Sequence, residues 1–296
     1  VRVRDQKAVG LSLLVFITVI WGTTFPLLKS TVDTLSPALL VATRFLIAAL
    51  VLAPWLARVP KRLWLEGGAV GVLLFLSYWT QVMGLTTIPS GRAAFITGLN
   101  VILVPLFLPF LRQRVPWTAF VAAAVALTGI GLMSLNGFTL EFSVGDAWIL
   151  ACAVLFAVYI IAMDRLSARY AALPLTAVQV AVVCVCGLLF AAPELARGVS
   201  LEPLRDHWVV LVYLGVAATA VTTLVQSYAQ RFVPAFQTAV IYALEPVCAA
   251  AFSFWWLRET LSVQGFVGAG LILAAMLLCQ FDPVSAKRAA NVQEHV

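Results

Sequence analysis

The chain has 296 residues, 62% of them hydrophobic and only 11% charged, with a mean hydropathy of +1.02; a soluble domain carries roughly 25% charged residues. That composition excludes a soluble enzyme. At about 20 apolar residues per crossing helix, the length holds roughly ten membrane spans joined by short loops. The net charge of +6 is read as topological, because Lys and Arg of membrane chains gather in cytoplasmic loops, and no nucleic-acid partner is expected.

In chain order, apolar runs bounded by charges or Pro/Gly turns lie near residues 8–29, 36–58, 67–86, 92–111, 116–135, 145–165, 174–194, 207–228, 234–257 and 261–281. Each is long enough to cross a bilayer. The first follows Arg2, Arg4 and Lys7, but it exceeds a signal h-region and no small-residue cleavage site closes it, so it reads as an uncleaved helix. Counted over alternate loops, thirteen Lys and Arg fall on one side and five on the other; with Arg44 inside a span these account for all 19. The bias places both termini in the cytoplasm.

The second half echoes the first. An offset of 145 pairs Gln81 with Gln226, Pro89 with Pro234, Ala94 with Ala239, Ile96 with Ile241, Leu99 with Leu244 and Phe107 with Phe252. Matched positions also carry polar groups on one helical face, Arg92, Ile96 and Asn100 against Gln237, Ile241 and Glu245. An offset of 135 pairs Gly10 with Gly145 and the Trp21–Pro26 region with Phe156–Ile161. Five spans per repeat is odd, so the second copy is inverted. The expected fold is an all-α membrane protein of ten transmembrane helices in a 5+5 inverted repeat, with halves at 1–139 and 140–296. Such halves exchange conformations around a midplane site, although the same symmetry also suits a static channel.

Polar groups inside the apolar runs mark candidate sites. Glu245, counted from residue 234, lies ~16 Å into a core ~30 Å thick. A carboxylate there needs a partner or a proton. One reading is recognition of a substrate amine or proton coupling; the other is a neutral carboxyl that, with Pro246, stabilises a helix break. Arg44 suits a substrate carboxylate or serves as an anchor on backbone carbonyls or a snorkelling side chain. Arg92 is expected in water or at the rim of a vestibule. Gln81, Gln226, Gln179, Asn100 and Gln237 either line a cavity or stitch helices together. Trp21 with Thr24, Tyr78 with Gln81, Tyr242 with Glu245, and Tyr159 with Met163 share helical faces, as expected of a wall that stacks on an organic solute; Phe95 joins them as a cavity candidate. Packing is the competing role for each.

Spans five and ten instead carry small residues, among them Ala122, Ala126 and Gly129 in one and Gly265, Gly268 and Ala275 in the other, and are expected as scaffold or protein contact. The five cysteines, Cys152, Cys184, Cys186, Cys248 and Cys279, lie in apolar runs without CxxC spacing, which indicates packing residues rather than disulfides or a zinc site. No GxSxG, HExxH or GxxxxGK[ST] motif occurs, and the two histidines, His207 and His295, lie at a span edge and in the tail. No enzyme activity, cofactor or metal is expected, and without an ATP-binding loop transport runs on gradients.

Pro234 with Thr238, Ala239, Leu244-Glu245-Pro246 and the run Leu257-Arg258-Glu259-Thr260-Leu261 resembles the end of an EamA repeat of the drug/metabolite transporter superfamily. Trp21-Gly22-Thr23-Thr24-Phe25-Pro26, and Pro89 with Gly91-Arg92-Ala93-Ala94-Phe95-Ile96, resemble first-repeat signatures. More closely, the chain is similar to the YddG-type amino acid exporters of the bacterial inner membrane. The resemblance implies an exporter of small metabolites, aromatic amino acids favoured; the solute and the lipid bilayer are the expected partners, and a monomer the expected unit. Two departures stand out: the coupling glutamate of related four-helix transporters is replaced by Val19, and the first repeat ends in Arg112-Gln113-Arg114 rather than Leu-x-Glu. A passive facilitator, or an intramembrane lipid-acting enzyme or scramblase, stays open as an alternative.

Overall fold

The structure, a computed structural model, describes residues 3–57, 59–113, 115–134, 142–198, 202–257 and 263–280. The Arg258–Leu261 motif, the boundary at 139/140 and the basic residues Arg2, Arg58, Arg114, Lys287 and Arg288 lie outside the described residues. Among those described there are fifteen α-helices and no strand: α1 (Val3–Gly22), α2 (Thr24–Val32), α3 (Pro37–Leu52), α4 (Lys61–Leu85), α5 (Ser90–Thr97), α6 (Asn100–Phe107), α7 (Trp117–Ser134), α8 (Val144–Leu166), α9 (Ala172–Ala196), α10 (Glu202–Asp206), α11 (Trp208–Gly215), α12 (Thr222–Ala229), α13 (Ala235–Tyr242), α14 (Glu245–Leu257) and α15 (Val263–Gln280). Taking abutting helices together, seven stretches are long and apolar enough to cross a membrane, and shorter apolar helices occupy Trp117–Leu132, Ala235–Ala249 and Val263–Leu278.

Local chemistry fixes where these helices start and break. Ser36 accepts the Leu39 N–H at 3.2 Å with Pro37 at the first helical position of α3, and Ser143 with Asp146 closes a capping box on α8. Pro60, Pro89 and Pro234 stand extended ahead of α4, α5 and α13. Pro26 has no N–H for the Gly22 carbonyl, and α1 gives way to α2 at Thr23. Pro246 likewise leaves the Tyr242 carbonyl without its helical donor, and α13 ends there. The corresponding break in the first half, between Thr97 and Asn100, carries Gly98, where an added Cβ would lie 2.9 Å from Ile130 Cδ1. The starts and breaks coincide across the halves: α5 and α6 begin at Ser90 and Asn100, and α13 and α14 begin at Ala235 and Glu245, 145 residues on.

Helix packing repeats the same exchange. The α4–α8 contact has its counterpart in α12–α1 and the α6–α8 contact in α14–α1, while α3–α9 and α7–α15 are their own counterparts. One close crossing is built twice: a Cβ on Gly145 would meet the Gly84 carbonyl at 3.2 Å and Ile88 Cγ2 at 2.7 Å, and one on Gly10 would meet the Ala229 carbonyl at 3.3 Å and Val233 Cγ2 at 3.0 Å. The glycines are 135 residues apart and their partners 145 apart, as in the sequence offsets. The small residues of α7 and α15 face each other, with Gly129 set against the Gly268 carbonyl. Cys152, Cys184, Cys186 and Cys248 are free thiols.

Candidate substrate cavity

The site assembles around the helix breaks. A cavity is lined by Trp21, Thr24, Arg44, Leu74, Tyr78, Gln81, Thr97, Asn100, Phe156, Tyr159, Ile160, Thr223, Gln226, Tyr242 and Glu245. Twelve of these fifteen form pairs related by the internal repeat. At an offset of 135 the pairs are Trp21 with Phe156 and Thr24 with Tyr159. At 145 they are Tyr78 with Thr223, Gln81 with Gln226, Thr97 with Tyr242, and Asn100 with Glu245. Both halves therefore present the same positions, and largely different side chains, to one void. The void measures about 40 Å³, room for a few waters.

Aromatic rings form much of the wall. Trp21 meets Tyr242 edge-on at 4.9 Å between centroids, and Tyr78 meets Phe45 at 5.0 Å and Phe156 at 5.7 Å in the same manner. Trp21 also donates its indole N–H to the Ala218 carbonyl at 3.3 Å. That carbonyl belongs to a π-helical turn, residues 216–221, between α11 and α12.

The same turn holds Arg44. This guanidinium, 2% exposed, donates from Nε to Thr219 Oγ1 at 2.6 Å and from Nη2 to the Ala218 carbonyl at 2.9 Å. The Thr219 hydroxyl in turn donates to the Leu214 carbonyl at 2.7 Å. The Arg44 Cζ sits 4.6 Å from the Tyr78 ring centroid, within cation–π range. Its Nη1 has no partner among the described residues, as is also true of Thr97 Oγ1, Asn100 Oδ1 and Tyr242 Oη. All four groups belong to residues that line the cavity, and buried polar atoms without partners are rare enough in folded proteins to mark a place for water or ligand. None of the ion pairs among the described residues includes Arg44 or Glu245.

Ten of the residues expected at a cavity thus line this one: Trp21, Thr24, Arg44, Tyr78, Gln81, Asn100, Tyr159, Gln226, Tyr242 and Glu245. Four others lie off it. Gln179 is buried with its amide engaged, donating to the Leu175 carbonyl at 3.1 Å and accepting from Tyr159 at 2.9 Å. Met163 is fully buried in the apolar core, Phe95 packs half-buried against a separate apolar cluster that includes Val101 and Ile130, and Gln237 is buried on α13. Leu74, Thr97, Phe156, Ile160 and Thr223 line the cavity without having been singled out in the sequence. For Thr97, Phe156 and Thr223 the repeat offsets carried the signal, since each pairs with a residue that was.

Arg92 departs from one of its two expected places, open water. Rather than lying in water it grips Asp146 with both ends of its fork, Nε to Oδ1 at 2.6 Å and Nη2 to Oδ2 at 2.7 Å, the carboxylate side chain being 1% exposed. This joins α5 of the first half to α8 of the second. Asp146 is already positioned by the Ser143 backbone N–H and hydroxyl, both donating to Oδ2.

A helical membrane protein of two similar halves closing on a shared polar cavity is the class this geometry defines. Residues 8–135 and 143–280 each match the EamA-like transporter family, and the chain belongs to that family: it is a multi-pass membrane transporter. It is 29% identical over 265 residues to an uncharacterized transporter of Archaeoglobus fulgidus, covering 90% of this chain and 83% of that one. It is 28% identical over 292 residues to a probable terminal-alkyne amino-acid exporter of Streptantibioticus cattleyicolor, covering 94% and 95%. A probable biotin transporter of Pseudomonas aeruginosa is 29% identical over 224 residues, covering 70% and 75%. A solved crystal structure shares the fold with a TM-score of 0.74 at 21% identity, covering 93% of this chain and 95% of that one.

Proposed function

We propose that this protein exports small metabolites, amino acids and aromatic ones foremost, across a bacterial inner membrane by alternating access. In this reading ten crossings form two inverted halves, 1–139 and 140–296, with both termini in the cytoplasm and the monomer as the working unit. The observation that carries it is the cavity wall of repeat-related pairs, because two similar halves around one site have two equivalent ways to open. The aromatic wall and unpartnered polar atoms suit a solute with an apolar side chain and charged backbone groups. The probable terminal-alkyne amino-acid exporter of Streptantibioticus cattleyicolor, matched nearly end to end, supports amino acids as the substrate class and export as the direction.

The test is counterflow in proteoliposomes. Vesicles loaded with unlabelled phenylalanine, tryptophan, leucine or biotin receive the labelled compound outside, with and without a proton gradient. Transient accumulation above equilibrium with an aromatic amino acid is expected. Simple equilibration would identify a passive facilitator, and no movement of any amino acid would reject the substrate class.

A further inference from the structure

We infer that the cavity is polarised where the two halves depart from one another, and that Arg44 and Glu245 form a two-ended receptor for a zwitterion, the guanidinium taking the carboxylate and the Glu245 carboxylate taking the ammonium. This rests on the reading of the cavity as a solute site.

Helices α3 and α9 start 135 residues apart, at Pro37 and Ala172, which places Gln179 opposite Arg44 in the repeat. Glu245 stands opposite Asn100. Each half therefore keeps a neutral amide at one of the two positions and carries a charge at the other: the first half gives a cation and an amide, the second an amide and an anion. Symmetry is broken twice, with opposite sign, and both charged residues line the same void.

The two members of the Arg44–Gln179 pair are also held differently. Gln179 is engaged by its own helix and by Tyr159. Arg44 has a third nitrogen that the Thr219 hydroxyl and the Ala218 carbonyl do not reach. A fixed fork with one end anchored and one end unpartnered is a preorganised donor to a carboxylate oxygen. Glu245 makes no ion pair with it or with any other described residue, so an α-amino acid satisfies both charges at once and binds in one orientation. Its side chain then meets the rings of Trp21, Tyr78 and Tyr242.

The experiment is a crossed binding matrix on the purified full-length chain, read by intrinsic tryptophan fluorescence and ligand-induced thermal shift. The probes are phenylalanine, phenylalaninamide, which lacks the carboxylate, and 3-phenylpropionate, which lacks the ammonium. Arg44→Gln is expected to abolish a preference of about tenfold to a hundredfold for phenylalanine over phenylalaninamide while phenylalaninamide still binds. Glu245→Gln is expected to abolish the preference for phenylalanine over 3-phenylpropionate. Arg44→Lys retains the charge and serves where the Gln variant does not fold; it is expected to weaken phenylalanine by about tenfold and leave phenylalaninamide unchanged. Equal weakening of all three probes, or survival of both preferences, would overturn the assignment. Phenylalanine transport with uncrossed specificity would overturn it while sparing the transport reading. Arg44-dependent binding of 3-phenylpropionate without amino acid transport would support the Arg44 site and reject the amino acid reading.

Discussion

Arg92 and Asp146 show how much at the scale of the residue depends on prior positioning. A bidentate ion pair at a buried carboxylate strengthens when one partner is held by other bonds, and here the Ser143 capping box holds Asp146 independently of Arg92. Asp146→Asn breaks the pair and leaves a cation facing a neutral amide. The expected cost is about 3 kcal/mol, measurable as a lower unfolding midpoint in detergent. Thr219 is a positioning residue for Arg44: Thr219→Val leaves the Nε without its acceptor. It is expected to cost about 1–3 kcal/mol and to raise KM for an amino acid more than it lowers kcat, as counterflow at graded concentration would show. Glu245 was legible in the sequence because an acid in the middle of an apolar run stands out. The partners of Arg44 were not, since Ala218 and Thr219 lie 174 and 175 residues away and no periodicity signals a π-helical turn.

At the scale of the element, the breaks matter most. Pro26 and Pro246 mark two of them from the chain itself, by the loss of an N–H, whereas the Thr97–Asn100 break has no proline in the first turn of α6 and is set by tertiary packing around Gly98. Close helix crossings are equally demanding. A Cβ on Gly22 would sit 2.6 Å from Cys248 Cβ and 2.9 Å from the Ala249 nitrogen, both on α14, while one on Gly91 meets nothing within 4 Å. Gly22→Val is therefore expected to cost about 1–3 kcal/mol and to reduce the folded yield, and Gly91→Ala to leave yield and unfolding midpoint unchanged, as fluorescence-detected size exclusion would resolve.

For the whole molecule, the ion pair between α5 and α8 is one polar tie between the halves, beside the Arg44–Thr219 hydrogen bond and the α4–α8, α3–α9 and α7–α15 packing. The alternating access proposed above is expected to part the halves there. With cysteines at positions 92 and 146 in a background free of native cysteines, a short cleavable bis-maleimide is expected to stop counterflow, and cleaving the linker to restore it. Flux that persists through the crosslink would instead fit a static pore.

Apolar content, the spacing of ten hydrophobic runs and the two offsets were determined by the sequence itself, because burial in lipid acts on each run independently and a duplicated segment keeps its spacing. Which polar groups face one another was decided by the tertiary structure alone. Gln179 and Arg44 occupy equivalent places in their halves, yet one amide is engaged by its neighbours and the other residue's guanidinium is left one bond short. That difference arises from contacts between helices far apart in the chain, and only packing brings them together.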